Sequence, residues 1–253
     1  MFIDTHSHIS SEYYDDIDGV IKRALENKIE KIIINGCDLA SNKEVLELIN
    51  KYEILYGAIG FHPTELDKYC DDDLLWLEKN ISNNKIVAIG EIGLDYHYDN
   101  TDKELQKKVF IKQLQLAEKY DLPVVVHSRD SIQDTYDILK QFKVRGEIHC
   151  FSSSIEMARE FIKLGFYLGV GGIISFKNAK TIKEVVKNID LSHIILETDA
   201  PYLAPEPYRG RQNEAMYIPI IAKEIGNIKN MDYLLVGKVT TDNAYTLFDK
   251  MAK

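Results

Sequence analysis

Short apolar runs rich in β-branched residues alternate along this chain with longer stretches whose apolar residues recur every three or four positions. The short runs predict eight strands, over residues 2–9, 31–36, 55–61, 86–92, 123–127, 146–150, 167–171 and 193–197. The longer stretches predict helices over 15–27, 42–51, 73–82, 102–120, 132–141, 155–164 and 179–188, with two more over about 215–225 and 231–251. In the 102–120 segment Leu105, Val109, Ile111, Leu114, Leu116 and Ala117 fall mostly on one side. Asp102 stands where a carboxylate can accept from the free amides of the first turn.

Strands separated by helices on this rhythm predict a parallel sheet. The runs Ile32-Ile33-Ile34 and Val124-Val125-Val126 are continuously apolar, as strands covered on both faces are. Eight such units in 253 residues predict an α/β fold of the closed (β/α)8 kind, a TIM barrel forming one domain over 1–253. A doubly wound sheet would carry a glycine-rich first strand-to-helix turn. Here that turn reads Thr5-His6-Ser7-His8-Ile9-Ser10-Ser11, without glycine.

Composition narrows the function classes. The formal net charge of −9 excludes a broad basic footprint for wrapping duplex DNA. No apolar run approaches the ~18 residues of a membrane span, and the first residues lack the basic and apolar regions of a secretory leader. The three cysteines, Cys37, Cys70 and Cys150, are odd in number and form no CxxC pair. They are expected to be buried, unpaired residues in a cytoplasmic protein. No heptad seam is visible, and a monomer is expected.

In parallel barrels the chemistry sits at the C-terminal ends of the strands, and here those ends carry metal-ligand side chains. The first ends in His6 and His8, the third in His62, the fourth in Glu91, the fifth in His127, the sixth in His149 and the eighth in Asp199. His6 and His8 are two apart, so on a strand both imidazoles face one side. His97 and His193 are expected to be structural. Imidazole suits Zn, Mn, Fe, Co or Ni, and carboxylates suit harder ions. Four imidazoles (His6, His8, His127, His149) with Glu91 and Asp199 exceed the needs of one tetrahedral ion. They fit two divalent ions about 3.5–4 Å apart with one carboxylate bridging, an arrangement that generates a hydroxide nucleophile near neutral pH. That chemistry points to hydrolysis, above all of phosphoesters. Asp199 and Glu91 are the expected catalytic carboxylates. Arg129, Arg209 and Arg211 are candidate phosphate contacts, although Arg129 could pair with Asp130 and the other two could be solvated. His62 is a candidate substrate contact, and Asp95 is expected to orient the Glu91 loop. Tyr96, Tyr98 and Tyr202 offer stacking faces near the mouth.

These residues resemble the TatD family of metal-dependent deoxyribonucleases. The matching stretches are Asp4-Thr5-His6-Ser7-His8, Gly60-Phe61-His62-Pro63, Gly90-Glu91-Ile92-Gly93-Leu94-Asp95-Tyr96, Val126-His127-Ser128-Arg129 and His149-Cys150-Phe151-Ser152. Leu196-Glu197-Thr198-Asp199-Ala200-Pro201-Tyr202-Leu203 and Arg209-Gly210-Arg211-Gln212-Asn213-Glu214 complete the set, in order from residue 1 to about 214. The resemblance implies a TIM barrel using Mg, Mn or Zn to cut DNA, often from a 3′ end. It implies that His6, His8 and Asp199 hold one metal, Glu91 bridges, and His127 and His149 hold the second. Gln212 stands where many members have Lys or Arg, leaving one phosphate contact fewer. With two divalent ions at the mouth of an acidic chain, DNA ends or short single strands are the expected substrate. A related barrel hydrolase acting on a small ester or amide uses the same ligand set, and no lysine is placed to be carboxylated as a bridge. A non-catalytic metal-binding or partner-binding protein would be expected to lack a ligand, and none is missing.

Overall fold

A computed structural model describes residues 1–252; Lys253, the last residue of the expected domain, lies outside them. Eight strands follow in order around one parallel sheet: β1 (Phe2–Ser7), β2 (Ile29–Asn35), β3 (Leu55–Ile59), β4 (Ile86–Asp95), β5 (Val124–Arg129), β6 (Gly146–Ile148), β7 (Phe166–Val170) and β8 (Ile194–Leu196). The sheet closes on itself just beyond β8, where Ser7 pairs with Ala200 in parallel and the His8 amide donates to the Ala200 carbonyl at 2.6 Å. The expected α/β barrel is therefore the observed fold.

The triplet strands show how an apolar run serves two layers. Val124 and Val126 belong to the outer core against the helices, and Val125 to a separate cluster inside the barrel. Ile32, Ile34 and Ile33 divide in the same way, as do Ile194, Leu196 and Ile195. Each fully buried aliphatic side chain contributes roughly 1.5–3 kcal/mol, and here both faces of a strand collect it.

The helices that cover the strands are α1 (Ile17–Glu26), α2 (Leu39–Lys51), α3 (Asp71–Asn80), α4 (Lys103–Tyr120), α5 (Ile132–Leu139), α6 (Ile155–Lys163), α7 (Lys180–Asn188), α8 (Ile218–Lys229) and α9 (Tyr233–Leu247). Boundaries shift where a cap or a proline decides them. The Asp38 side chain accepts from the Ser41 amide, so α2 begins three residues before its expected start. Residues 215–217 form a 3-10 turn, and α8 begins only beside Pro219. At the barrel floor the end of α9 and the turn after it insert Leu247, Phe248 and Met251 among Ile3, Ile33, Tyr56 and Val87. That closes the N-terminal end of the barrel and leaves the opposite mouth for chemistry. The three cysteines are free, as expected, but they are not fully buried: Cys37 and Cys150 are half-buried, and Cys70 is exposed at the start of α3. No helix among the described residues is long and apolar enough to cross a membrane.

Candidate metal centre

Barrel closure assembles the first half of the site. Asp4, fully buried, accepts from the Thr198 amide at 2.9 Å and the Thr198 hydroxyl at 2.6 Å, which ties β1 to the turn after β8. The Asp199 amide then donates to the His6 carbonyl at 3.0 Å. Asp199 sits at φ +57°, a left-handed conformation uncommon outside glycine. The result is a cluster in which His6 Nε2 lies 3.1 Å from His8 Nε2 and 3.7 Å from Asp199 Oδ1. His8 Nε2 and His149 Nε2 lie 3.6 and 3.7 Å from that same oxygen.

Glu91 divides the centre. Its Oε2 faces His6 Nε2 at 3.3 Å and His8 Nε2 at 3.4 Å, and its Oε1 faces His127 Nδ1 at 2.9 Å and His62 Nε2 at 3.5 Å. Contrary to expectation, β4 does not end at Glu91 but runs on to Asp95, paired with Arg129 of β5. The extension needs Gly93, at φ +146°, where a Cβ would strike the His127 backbone. Ligands bonded at about 2.0–2.2 Å to one ion stand roughly 2.9–3.6 Å apart, depending on octahedral or tetrahedral geometry. The spacings here, 2.9–3.7 Å, lie within about 0.1 Å of that range, so the donor set fits divalent cations.

Four of the five imidazoles are held from behind, whereas His6 Nδ1 is buried without a hydrogen-bond partner. His8 Nδ1 lies 3.1 Å from the Asn35 carbonyl, His127 Nε2 2.9 Å from Asp95 Oδ2, His149 Nδ1 3.0 Å from Glu197 Oε2, and His62 Nδ1 2.8 Å from Thr64 Oγ1. Such contacts set which nitrogen remains free for a cation. Burial raises the Glu91 pKa, but His6, His62 and His149 and the hydrogen bond from His127 outweigh it and hold the carboxyl well below its ordinary range. Burial, reinforced by His149, pushes His6 well down. Burial acts on His127 in the same direction, yet its bonds to Asp95 and Glu91 win and raise it. Asp199 is raised by burial. Beneath the ring, burial pushes the neighbouring acids Glu147 and Glu197 well up, and in Glu147 the charge of Glu197 adds to it.

The ring opens into a cavity of about 640 Å³. The structure thus brings together His6, His8, His62, Glu91, His127, His149 and Asp199. It sets His62 beside Glu91 and His127, and His149 beside His6 and Asp199. Arg129 lines the cavity with its guanidinium 6.0 Å from the Tyr98 ring centroid, and Asp130 faces His97 Nδ1 at 3.0 Å instead of Arg129. Arg209 and Arg211 do not line the cavity; both are exposed and lie over the rings of Phe176 and Tyr208. Tyr98 and Tyr202 border the cavity; Tyr96 does not, its hydroxyl donating to Asp134. Asp95, expected to orient the Glu91 loop, contacts the His127 ring itself. Glu197 was missed altogether. The signal was present, since Glu197 precedes Asp199 by two residues, the same spacing that drew attention to His6 and His8.

A parallel barrel that gathers imidazoles and carboxylates around one mouth defines the class of barrel metal hydrolases. Residues 3–249 match the family described as TatD related DNase. The chain is 43% identical over 252 residues to the uncharacterized metal-dependent hydrolase YabD of Bacillus subtilis, covering 98% of this chain and 99% of that one. It is 32% identical to the uncharacterized metal-dependent hydrolase YcfH of Escherichia coli, covering 97% and 95%. The crystal structure of YjjV, a TatD homologue from Escherichia coli, superimposes with a TM-score of 0.93 at 32% identity over 98% of both chains. The chain belongs to the TatD family and is a metal-dependent hydrolase.

Proposed function

We propose that this enzyme hydrolyses phosphodiester bonds of DNA at strand ends or in short single strands, removing nucleotides from a 3′ end, with two divalent ions of the Mg, Mn or Zn kind. The observation that carries the reading is the division of Glu91, one carboxylate oxygen facing His6 and His8 and the other facing His62 and His127. His6, His8 and Asp199 would hold the first ion, Glu91 would bridge, and His127 and His149 would hold the second, with His62 close enough to share it or to touch substrate. Bound there, such ions lower the pKa of water and neutralise charge on phosphoryl oxygens. The chain's own groups do the rest. Glu91 stays ionised among the imidazoles. Asp199, whose carboxyl burial raises above its ordinary range, would take a proton from the attacking water. Arg129 on the rim offers a planar fork to a phosphoryl oxygen.

Among the described residues the cavity lining includes Glu12, Asp38, Glu44 and Glu65, with Arg129 its one guanidinium and no lysine. This acidic rim supports a strand end over a long duplex. It equally favours a second reading, hydrolysis of a small ester or amide. The discriminating experiment incubates the protein, loaded in turn with Mg, Mn and Zn, with end-labelled single- and double-stranded DNA beside EDTA and Glu91→Ala controls. Metal-dependent shortening lost in both controls is expected. Intact DNA with every metal, together with turnover of a small ester or amide, would establish the second reading instead.

A further inference from the structure

We propose that Tyr13 and Tyr202 form a stacking subsite that holds the nucleobase beside the cleaved phosphate. This rests on the phosphodiesterase reading and adds the base to what the site recognises. Both tyrosines line the cavity. Their rings meet edge to face, with centroids 5.8 Å apart at 70°, and their hydroxyls are 3.0 Å apart. The Tyr202 ring centroid is 6.3 Å from that of His8, so the platform borders a candidate metal ligand. Tyr202 is 49% exposed, leaving ring surface for a planar ligand.

The loop that was expected to carry phosphate-binding arginines serves this pair. Gln212 Nε2 donates to the Tyr13 carbonyl, and Asn213 Nδ2 donates to the Tyr202 carbonyl at 2.6 Å. Two adjacent side chains therefore fix both tyrosines. The Asn213 carbonyl also accepts from the Tyr14 hydroxyl at 2.6 Å, which locks the loop to the segment after β1.

Charge decides which part of a nucleotide this side accepts. Among the described residues the one guanidinium of the lining, Arg129, neighbours Tyr98 at the end of β5, whereas Glu12 stands next to Tyr13 in the chain. A phosphate is disfavoured beside Glu12, and an uncharged aromatic base is not. Stacking of one base on an aromatic side chain is worth about 1–3 kcal/mol, or roughly 5–150-fold in affinity.

The test is calorimetric binding of deoxyadenosine 5′-monophosphate and of deoxyribose 5-phosphate, which lacks only the base, to the Mn-loaded protein. Wild type is expected to prefer the nucleotide by about tenfold or more. Tyr202→Leu should bring nucleotide affinity down toward that of the sugar phosphate and leave the latter unchanged. Absence of a base preference in wild type, or equal weakening of both ligands by Tyr202→Leu, overturns the subsite. Cleavage of an oligonucleotide with a normal or an abasic 3′ end runs in parallel. If neither is cut, the phosphodiesterase reading fails while the binding comparison still decides the subsite.

Discussion

Glu197 Oε2 lies 3.0 Å from His149 Nδ1, and the other oxygen of the same carboxylate accepts the Cys150 amide at 2.7 Å. The carboxylate fixes both the tautomer and the plane of His149 and leaves Nε2 to face Asp199. Glu197→Gln keeps the shape but turns an amide group toward an imidazole that needs an acceptor. Metal affinity is expected to fall about 10–100-fold, with little change in thermal unfolding of the chelated protein. Titration calorimetry with Zn checks this, and an unaltered dissociation constant would remove Glu197 from the metal centre.

His127 gives the site a pH dependence with a definite sign. A cation needs the neutral imidazole, and protons compete for it. Its contacts with Asp95 and Glu91 hold its pKa above the ordinary 6.5 in the metal-free protein. Competition therefore begins at a higher pH than for free imidazole, and metal affinity should rise with pH through that range. Asp95→Asn weakens the hold on the proton and should shift the dependence toward lower pH. Mn titrations at several pH values between about 5.5 and 8.5 measure it; a profile identical in wild type and variant contradicts the assignment.

The barrel was legible because each βα unit repeats one pattern, an apolar run with both faces covered followed by an amphipathic stretch. The ligands were legible because His6, His62, His127 and His149 stand at or just beyond the ends of four different strands, all at one mouth of the barrel. What escaped were interactions made across the barrel. Glu147 and Glu197 meet only because Gly169 leaves room between them; a Cβ there would drive into both carboxylates. Nothing local in Phe166–Val170 announces that gap. The arginine loop misled for the opposite reason. Its side chains suit phosphate, but Arg209 lies over Phe176, far away along the chain, and Arg211 lies over the neighbouring Tyr208. Local chemistry identified the loop as important, and long-range hydrogen bonds from Gln212 and Asn213 decide what it does.

Metal removal should be visible in stability as well as activity. An ion that binds only the folded state adds about 2.7 kcal/mol at a hundredfold excess over its dissociation constant. For a chain of this length that corresponds to a rise of roughly 5–10 °C in Tm per ion. Differential scanning calorimetry with and without EDTA, beside metal analysis of the purified protein, checks it. Two ions per chain are expected. Fewer than one, with no shift in Tm on adding Mn or Zn, would contradict a paired site.

Asn213 offers the sharpest separation between fold and chemistry. Fully buried, it donates to the Thr198 carbonyl at 2.7 Å and to the Tyr202 carbonyl at 2.6 Å, and its Oδ1 accepts the Glu214 amide at 2.9 Å. Alanine removes three hydrogen bonds and leaves backbone groups buried without partners, each costing about 1–3 kcal/mol when nothing replaces the bond. Water can reach Tyr202 on its exposed side, so roughly 2–4 kcal/mol is the expected net loss. Urea unfolding of the chelated protein should show a lower midpoint with an unchanged slope. Because Thr198 precedes Asp199, the same change should loosen the first metal position more than the second. Asn213→Ala is therefore expected to lose one ion before the other in a Zn titration, whereas a variant that merely unfolds more easily would lose both together.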